Sequence, residues 1–136
     1  MGKNIVLQGK PGAGQHTKVA NQIAIAAGMV AVCEAIAYAK NQVLIQKPYK
    51  TVLKSIGSGA AGSWSLNNLG PRMIEENFEP GFYIKHFIKD MNIAVTSSNR
   101  LGLETPGLNL ALSLYEKMAE KGFENNGTQA LFKLFQ

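Results

Sequence analysis

The stretch that decides the fold runs from Gly9 to Gln22 and has the sequence GKPGAGQHTKVANQ. Three glycines and a proline fall within its first six residues, and this composition interrupts both helix and strand. The sequence then becomes apolar and rich in alanine, which predicts a helix from about Gln15 to Lys40. A glycine-rich loop is therefore expected to lead directly into the longest helix of the chain.

Three polar side chains share one face at the beginning of this helix. Lys18, Asn21 and Gln22 stand at positions i, i+3 and i+4, so their side chains point to the same side. A cation and two amides at one place can hold and protonate a small oxygenated molecule. The pattern also fits the polar start of an ordinary helix, and the spacing alone leaves both interpretations open.

Two familiar glycine motifs do not fit this loop. A phosphate-binding P-loop has the glycine spacing of Gly9 and Gly14 but requires Lys-Ser/Thr where this chain has Gln15-His16. A dinucleotide fingerprint requires a third glycine where Thr17 stands, and an acidic residue about 20 positions further on. The loop is therefore neither of these nucleotide-binding motifs.

The predicted long helix is apolar on nearly every face, which indicates burial on all sides, either at the centre of a bundle or in a contact with a second subunit. Glu34 is its one acidic residue, and we expect a structural role for it. Cys33, the only cysteine, lies among apolar residues and is expected to be a buried structural thiol. The longest apolar run covers 11 residues, from Ile23 to Cys33, which is too short to span a bilayer. No association with a membrane is expected.

The remaining sequence predicts shorter helices around this one, and hence an all-α, multi-helix bundle. A glycine and alanine cluster at 57–62 is expected to allow close backbone packing, and Trp64 to serve as a core or interface anchor. A short strand is predicted at Lys3–Gly9. The predicted helices are Pro48–Ile56, Asn67–Glu79 with Gly70-Pro71 at its boundary, Tyr83–Arg100, Pro106–Lys121 and Gln129–Phe135.

Charge is distributed unevenly along the chain. Residues 1–54 carry seven lysines and one acidic residue, whereas residues 55–136 carry seven basic and eight acidic residues. The lysines are not interleaved with aromatic residues that could stack on bases, so nucleic-acid binding is not expected. A small anionic substrate or cofactor is the alternative explanation for the basic half.

Four blocks of the sequence stand out in order along the chain. They are Gly9-x-x-Gly12-x-Gly14-x-x-x-Lys18-x-x-Asn21-Gln22, Gly59-Ala60-Ala61-Gly62-Ser63-Trp64-Ser65, Phe82–Met91 and Gly127-Thr128-Gln129-Ala130-Leu131. Together they resemble the β-hydroxyacid dehydrogenases, the family of 3-hydroxyisobutyrate dehydrogenase and 2-hydroxy-3-oxopropionate reductase. The resemblance extends over nearly the whole chain but concerns only the C-terminal half of such enzymes. Their N-terminal half, a Rossmann domain, has no counterpart in this sequence.

The resemblance implies a site for a nicotinamide cofactor, NAD or NADP, and a small 3-hydroxy acid or its semialdehyde. In such a site Lys18 would be the catalytic acid and base, and Asn21 and Gln22 would bind substrate oxygens. Phe82, Lys89 and Asp90 would lie at the cofactor. From the residues alone, Phe82 is instead a core candidate, and Lys89 and Asp90 form a local charge pair. No metal site is expected.

The resemblance also implies a division of the chain. Residues 1–14 would be a residual strand and glycine-rich loop, and residues 15–136 a helical domain like the C-terminal domain of 6-phosphogluconate dehydrogenase. A cytoplasmic homodimer or higher homo-oligomer is expected, inactive without the Rossmann domain that would hold most of the cofactor. The alternative is a non-enzymatic helical dimerisation module, for which Lys18 would be unimportant.

Overall fold

A computed structural model describes residues 7–42 and 50–136, and every regular element within them is helical. The all-α fold class predicted from the sequence is therefore confirmed. Residues 3–6 of the predicted strand at Lys3–Gly9 lie outside the described residues, and residues 7–9 do not form a strand. The elements are α1 (Ala13–Asn41), α2 (Lys50–Gly57), α3 (Trp64–Ile74), α4 (Ile84–Arg100), α5 (Pro106–Glu120) and a C-terminal 3₁₀ helix (Thr128–Phe135).

Helix α1 is the centre of the bundle, as the sequence predicts. Its 29 residues pack against α3, α4, α5 and the C-terminal 3₁₀ helix, while α2 packs on α3. The buried positions recur at intervals of three and four residues and so form one stripe along the helix. They are Gln22, Ala26, Met29, Val30, Val32, Cys33, Ile36 and Ala39.

The prediction that α1 is buried on all sides is wrong for the single chain. Ala24, Ala27 and Ala31 are exposed on α1, and Tyr38 is 67% exposed. Glu34 is exposed on α1 as well. Alanine suits a buried face and an exposed helix surface equally well, so an apolar composition on every face does not show how many faces are covered.

Helix α1 is also long and apolar enough to cross a membrane, by length and composition only, which the 11-residue apolar run did not indicate. An 18-residue window within it has a mean hydropathy of 1.7, and 39% of that window is buried inside the chain. The core helix of a soluble protein meets the same criterion. This property is therefore weak evidence for a membrane span.

Local sequence explains where the helices around α1 begin and end. Helix α3 starts earlier than predicted, because the Ser63 hydroxyl accepts a hydrogen bond of 3.0 Å from the Leu66 amide and caps it. Pro71 lies inside α3 rather than at its boundary. Pro106 occupies the first turn of α5, as predicted, and Gly122 follows this helix with a φ of 87°.

The C-terminal segment is a 3₁₀ helix rather than the predicted α-helix, and buried polar contacts hold it on the bundle. Gln129 is 1% exposed, and its Nε2 donates to the carbonyls of Asn77 at 3.1 Å and Glu79 at 2.9 Å. The buried Tyr115 hydroxyl donates to the Thr128 carbonyl at 2.9 Å. These bonds fix the chain that leads into α4, where part of the candidate site lies.

The glycine cluster between α2 and α3 packs closely, as predicted, and substitution of its glycines tests this packing. A Cβ added at Gly62 would collide with the carbonyl oxygen of Gly57, which is backbone and cannot move aside easily. We expect Gly62→Ala to lower the free energy of unfolding by about 1–3 kcal/mol, measured by urea denaturation. Gly59→Ala is the matched control, because its Cβ would meet only a carbonyl at 4.0 Å. Equal stability of the two variants would contradict this packing.

Cys33 is fully buried, as predicted, and its environment makes a second prediction. Burial, with a smaller contribution from Glu34, raises the pKa of the Cys33 thiol from 9.0 to about 12. The thiol should therefore not react with DTNB in the native protein at pH 8, and should react once guanidinium unfolds the chain. Because the pKa of the thiol is higher in the folded chain, the unfolded chain loses this proton first as the pH rises. The contribution of the neutral thiol to the free energy of unfolding is therefore complete below pH 9 and is lost as the pH approaches 12. Stoichiometric labelling of the native protein would contradict this prediction.

Candidate active site

An open cleft lies where the first turns of α1 face α4. Its volume is about 500 Å³, which falls within the range of small-molecule sites. Lys18, Asn21 and Gln22 come from α1, Asp90 comes from the second turn of α4, and Phe82 lies just before α4 begins. The other lining residues are Ile25, Met29, Trp64, Ser65, Leu69, Phe87 and Thr128.

A chain of hydrogen bonds connects the polar residues of the two helices. Asn21 Nδ2 donates to Gln22 Oε1 at 2.9 Å, and Gln22 Nε2 donates to Asp90 Oδ2 at 2.9 Å. Gln22 is only 8% exposed, and both polar ends of its amide have a partner. The i, i+3, i+4 spacing thus places the expected polar residues together, and the structure adds Asp90, which is 68 residues away from Gln22.

Lys18 completes this cluster on the solvent side. Its Nζ lies 4.0 Å from Asp90 Oδ2, with the lysine side chain 69% exposed and the aspartate side chain 16% exposed. The expected charge pair of Asp90 with Lys89 is corrected here, because the ion pair of Asp90 is made with Lys18. At this distance and exposure the pair contributes little to stability, at most about 1 kcal/mol.

Phe82 and Lys89, the expected cofactor residues, lie on either side of the Lys18 cluster. Phe82 is 39% exposed at the wall of the cleft, so its interpretation as a core residue is wrong; Phe87, 5.9 Å away between ring centroids, is the buried one. Lys89 is exposed and lines an adjoining groove of about 570 Å³ with Gln15, His16, Val19 and Arg100 among others. A smaller depression connects the cleft with the groove. It is lined by Lys18 and Asp90, which also line the cleft, and by Gln15, which also lines the groove.

Trp64 is the cleft residue that the sequence analysis missed. It was expected to be a core or interface anchor; its 70% exposure contradicts a core position, and it lines the same cleft as Lys18. The signal that could have revealed it is Ser63, whose preference for capping a helix places Trp64 at the first helical position of α3. An exposed indole beside a polar cluster offers a flat apolar surface to a ligand.

Across residues 7–42 and 50–136, no group of three or more His, Cys, Asp or Glu side chains could hold a metal ion. The residues that line the described cleft supply an ammonium group, a carboxylate, two amides, two hydroxyls and aromatic rings. This set can polarise and protonate a carbonyl oxygen.

Comparison with known proteins shows the family of the chain. A sequence model described as the NAD-binding part of NADP-dependent 3-hydroxyisobutyrate dehydrogenase matches residues 12–135. The chain belongs to this family. The match begins at the glycine loop and ends in the C-terminal 3₁₀ helix, so it includes every residue of the cleft. It also confirms a nicotinamide cofactor, NAD or NADP, for the complete enzyme of this family.

Several curated proteins resemble the chain closely. It is 62% identical over 135 residues to an uncharacterized oxidoreductase of Bacillus subtilis, covering 99% of this chain and 46% of the relative. It is 43% identical to a probable mitochondrial 3-hydroxyisobutyrate dehydrogenase-like protein of Arabidopsis thaliana, covering 96% of this chain and 38% of the relative. For the 2-hydroxy-3-oxopropionate reductase of Escherichia coli the identity is 38%, with coverage of 90% and 41%. The chain thus spans less than half the length of each of these relatives.

The fold has a solved counterpart in Mycobacterium tuberculosis 3-hydroxyisobutyrate dehydrogenase, whose structure was determined with L-serine. The TM-score is 0.87 at 23% sequence identity, over 98% of this chain and 47% of that one. At this identity the likeness concerns the fold. It agrees with an all-α bundle that forms one part of a longer protein.

The unequal exposure of Lys18 and Asp90 predicts unequal effects on stability. Lys18→Ala removes a solvated side chain and should change the free energy of unfolding by no more than about 0.5 kcal/mol. Asp90→Ala leaves the buried Gln22 amide without its acceptor and should lower that free energy by about 1–3 kcal/mol. Urea denaturation of both variants measures the difference. A larger loss for Lys18→Ala than for Asp90→Ala would contradict the assigned geometry.

Proposed function

We propose that the chain is the C-terminal catalytic and dimerisation part of an NAD(P)-dependent dehydrogenase for a small 3-hydroxy acid or its semialdehyde. The observation that carries the proposal is the position of Lys18, exposed in a cleft and 4.0 Å from Asp90 Oδ2. Membership of the 3-hydroxyisobutyrate dehydrogenase family supports the reaction class.

In this proposal Lys18 is the catalytic acid and base. As an ammonium group it stabilises negative charge on a carbonyl oxygen that is being reduced, and then donates a proton to it; in the reverse direction it accepts the proton of the alcohol. Asn21 is exposed beside it and can bind a substrate oxygen. The basic N-terminal half of the chain favours an anionic substrate such as a carboxylate.

The described residues fit a nicotinamide dinucleotide on two counts. Phe82 presents a partly exposed ring at the cleft, against which a flat nicotinamide ring can pack. Lys89 adds an exposed cation in the adjoining groove, where it can pair with a phosphate. When bound, the nicotinamide supplies or accepts the hydride. We propose Phe82, Lys89 and Asp90 as the residues of this chain nearest to it.

We further propose that residues 1–14 belong with the N-terminal part of the enzyme and that residues 15–136 form its helical domain. The chain covers 46% of the Bacillus subtilis relative, and the adenosine and pyrophosphate of the cofactor would be bound largely by the other half. The isolated chain would then be catalytically inactive. We place the complete enzyme in the cytoplasm.

A second candidate is a non-enzymatic helical dimerisation module. The observation that favours it is the apolar surface of the single chain, where Leu101 is 76% exposed, Leu103 55% and Leu110 52%. A homodimer that covers such a surface is compatible with the dehydrogenase as well. The two functions differ in whether Lys18 matters.

The decisive experiment joins this chain to the N-terminal part of the Bacillus subtilis oxidoreductase and measures turnover of 3-hydroxyisobutyrate with NAD and NADP. Lys18→Ala should lower kcat in this fusion by about 10²–10⁴-fold, the usual contribution of a general acid or base. Phe82→Leu should mainly weaken cofactor binding, measured by the fluorescence of NADH or NADPH.

Two controls accompany this experiment. Lys54→Ala is the matched lysine variant, since Lys54 is an exposed lysine on α2, outside the cleft, and it should retain full turnover. The separate chain should bind neither cofactor detectably. An active fusion that tolerates Lys18→Ala would refute the assigned role, and a fusion that dimerises but never binds cofactor would favour the dimerisation module.

A further inference from the structure

Gln22 differs from the neighbouring site residues on α1 in its burial. Lys18 and Asn21 are exposed, whereas Gln22 is 8% exposed and lies between α1 and α4. Its Oε1 accepts from Asn21, and its Nε2 donates to Asp90. The amide keeps one further donor and one further acceptor position. At 8% exposure, however, little of it is accessible to a ligand, so it acts mainly through its protein partners.

The oxygen that Gln22 binds is the one that faces the lysine. Gln22 Nε2 is 2.9 Å from Asp90 Oδ2, and Lys18 Nζ is 4.0 Å from the same atom. An exposed lysine has many rotamers, and an ion pair at 4.0 Å does not by itself select one of them. The carboxylate can orient the ammonium group only if its own position is fixed, and Gln22 supplies a donor that fixes it.

The other end of Gln22 orients Asn21. Asn21 Nδ2 donates to Gln22 Oε1, so the carbonyl oxygen of Asn21, a residue that lines the cleft, can still accept a hydrogen bond from a substrate hydroxyl. One buried amide thus sets the directions of a carboxylate and of a second amide, on two different helices.

We propose that Gln22 is a positioning residue, which holds the Asp90 oxygen facing Lys18 and orients Asn21, instead of binding substrate itself. The catalytic importance of this arrangement rests on the proposed function. The hydrogen bond between Gln22 and Asp90 can be tested on this chain alone. Loss of Gln22 should lower the rate of the chemical step and leave substrate binding nearly unchanged.

The first test measures hydrogen exchange of side-chain amides by NMR in the 136-residue chain. The Gln22 amide protons, assigned by their loss in Gln22→Met, should exchange at least about tenfold more slowly than those of exposed Gln15 on the same helix. Asp90→Ala should remove most of this protection. Exchange of Gln22 as fast as that of Gln15 would overturn the proposal, because the bond to Asp90 would not persist in solution.

The second test measures kcat and KM for 3-hydroxyisobutyrate in the fusion with the Bacillus subtilis N-terminal part. Gln22→Met keeps the length of the side chain but loses both hydrogen bonds, and should lower kcat about tenfold or more with KM changed less than about threefold. Tyr115→Phe is the matched control, because it also loses a buried hydrogen bond, between α5 and the 3₁₀ helix, and its own side chain does not line the cleft. It should lower the melting temperature and leave kcat unchanged.

The outcomes separate the two proposals. A raised KM with unchanged kcat in Gln22→Met would overturn the positioning role, because Gln22 would then bind substrate directly. An equal fall of kcat in Tyr115→Phe would also overturn it, because general loosening of the bundle would explain the effect. Full turnover in Lys18→Ala would instead contradict the proposed function, while the exchange measurement would still decide whether Gln22 holds Asp90.

Discussion

The structure depends on the burial of one stripe of α1 against four other helical elements. Ala26, Met29, Cys33 and Ile36 are at most 2% exposed along this stripe. At about 25 cal/mol per Å² of apolar surface, such side chains supply most of the stabilisation of a small bundle. Every other element is positioned by its contact with α1 or with a helix that touches α1. A change in the register of this helix would therefore move both the core and the cleft.

The candidate site is a polar continuation of the same stripe. Gln22 stands four residues before Ala26 and lies on the buried side, whereas Lys18 stands another turn earlier and projects into solvent. Packing against α4 brings Asp90 opposite Gln22, where the core ends and the cleft begins. The geometry of the polar cluster is thus fixed by the apolar contact next to it, since α1 and α4 cannot shift against one another without disturbing both.

Sequence patterns predicted what depends on local chemistry and on composition. The all-α bundle, the long first helix, the buried Cys33 and the shared face of Lys18, Asn21 and Gln22 follow from periodicity, which is a local property. Two features depend instead on tertiary packing, which local patterns do not specify. These are the number of faces of α1 that other helices cover and the ion-pair partner of Asp90. Neighbouring Lys89 was the obvious partner by spacing, but packing brought Lys18 from another helix to Asp90 instead.

Solvent exposure of the cleft limits what Lys18 could do in this chain alone. Lys18 is 69% exposed, and at such a position water screens its charge and competes for its hydrogen bonds. An ammonium group stabilises developing negative charge strongly only where water is excluded. The cleft is lined by α1, α3, α4, Phe82 before α4 and Thr128 of the 3₁₀ helix, and it opens to solvent at Lys18. On the proposed function, a second domain that covers this opening both holds the cofactor and removes water from Lys18, so the same docking event supplies the reactant and strengthens the catalyst.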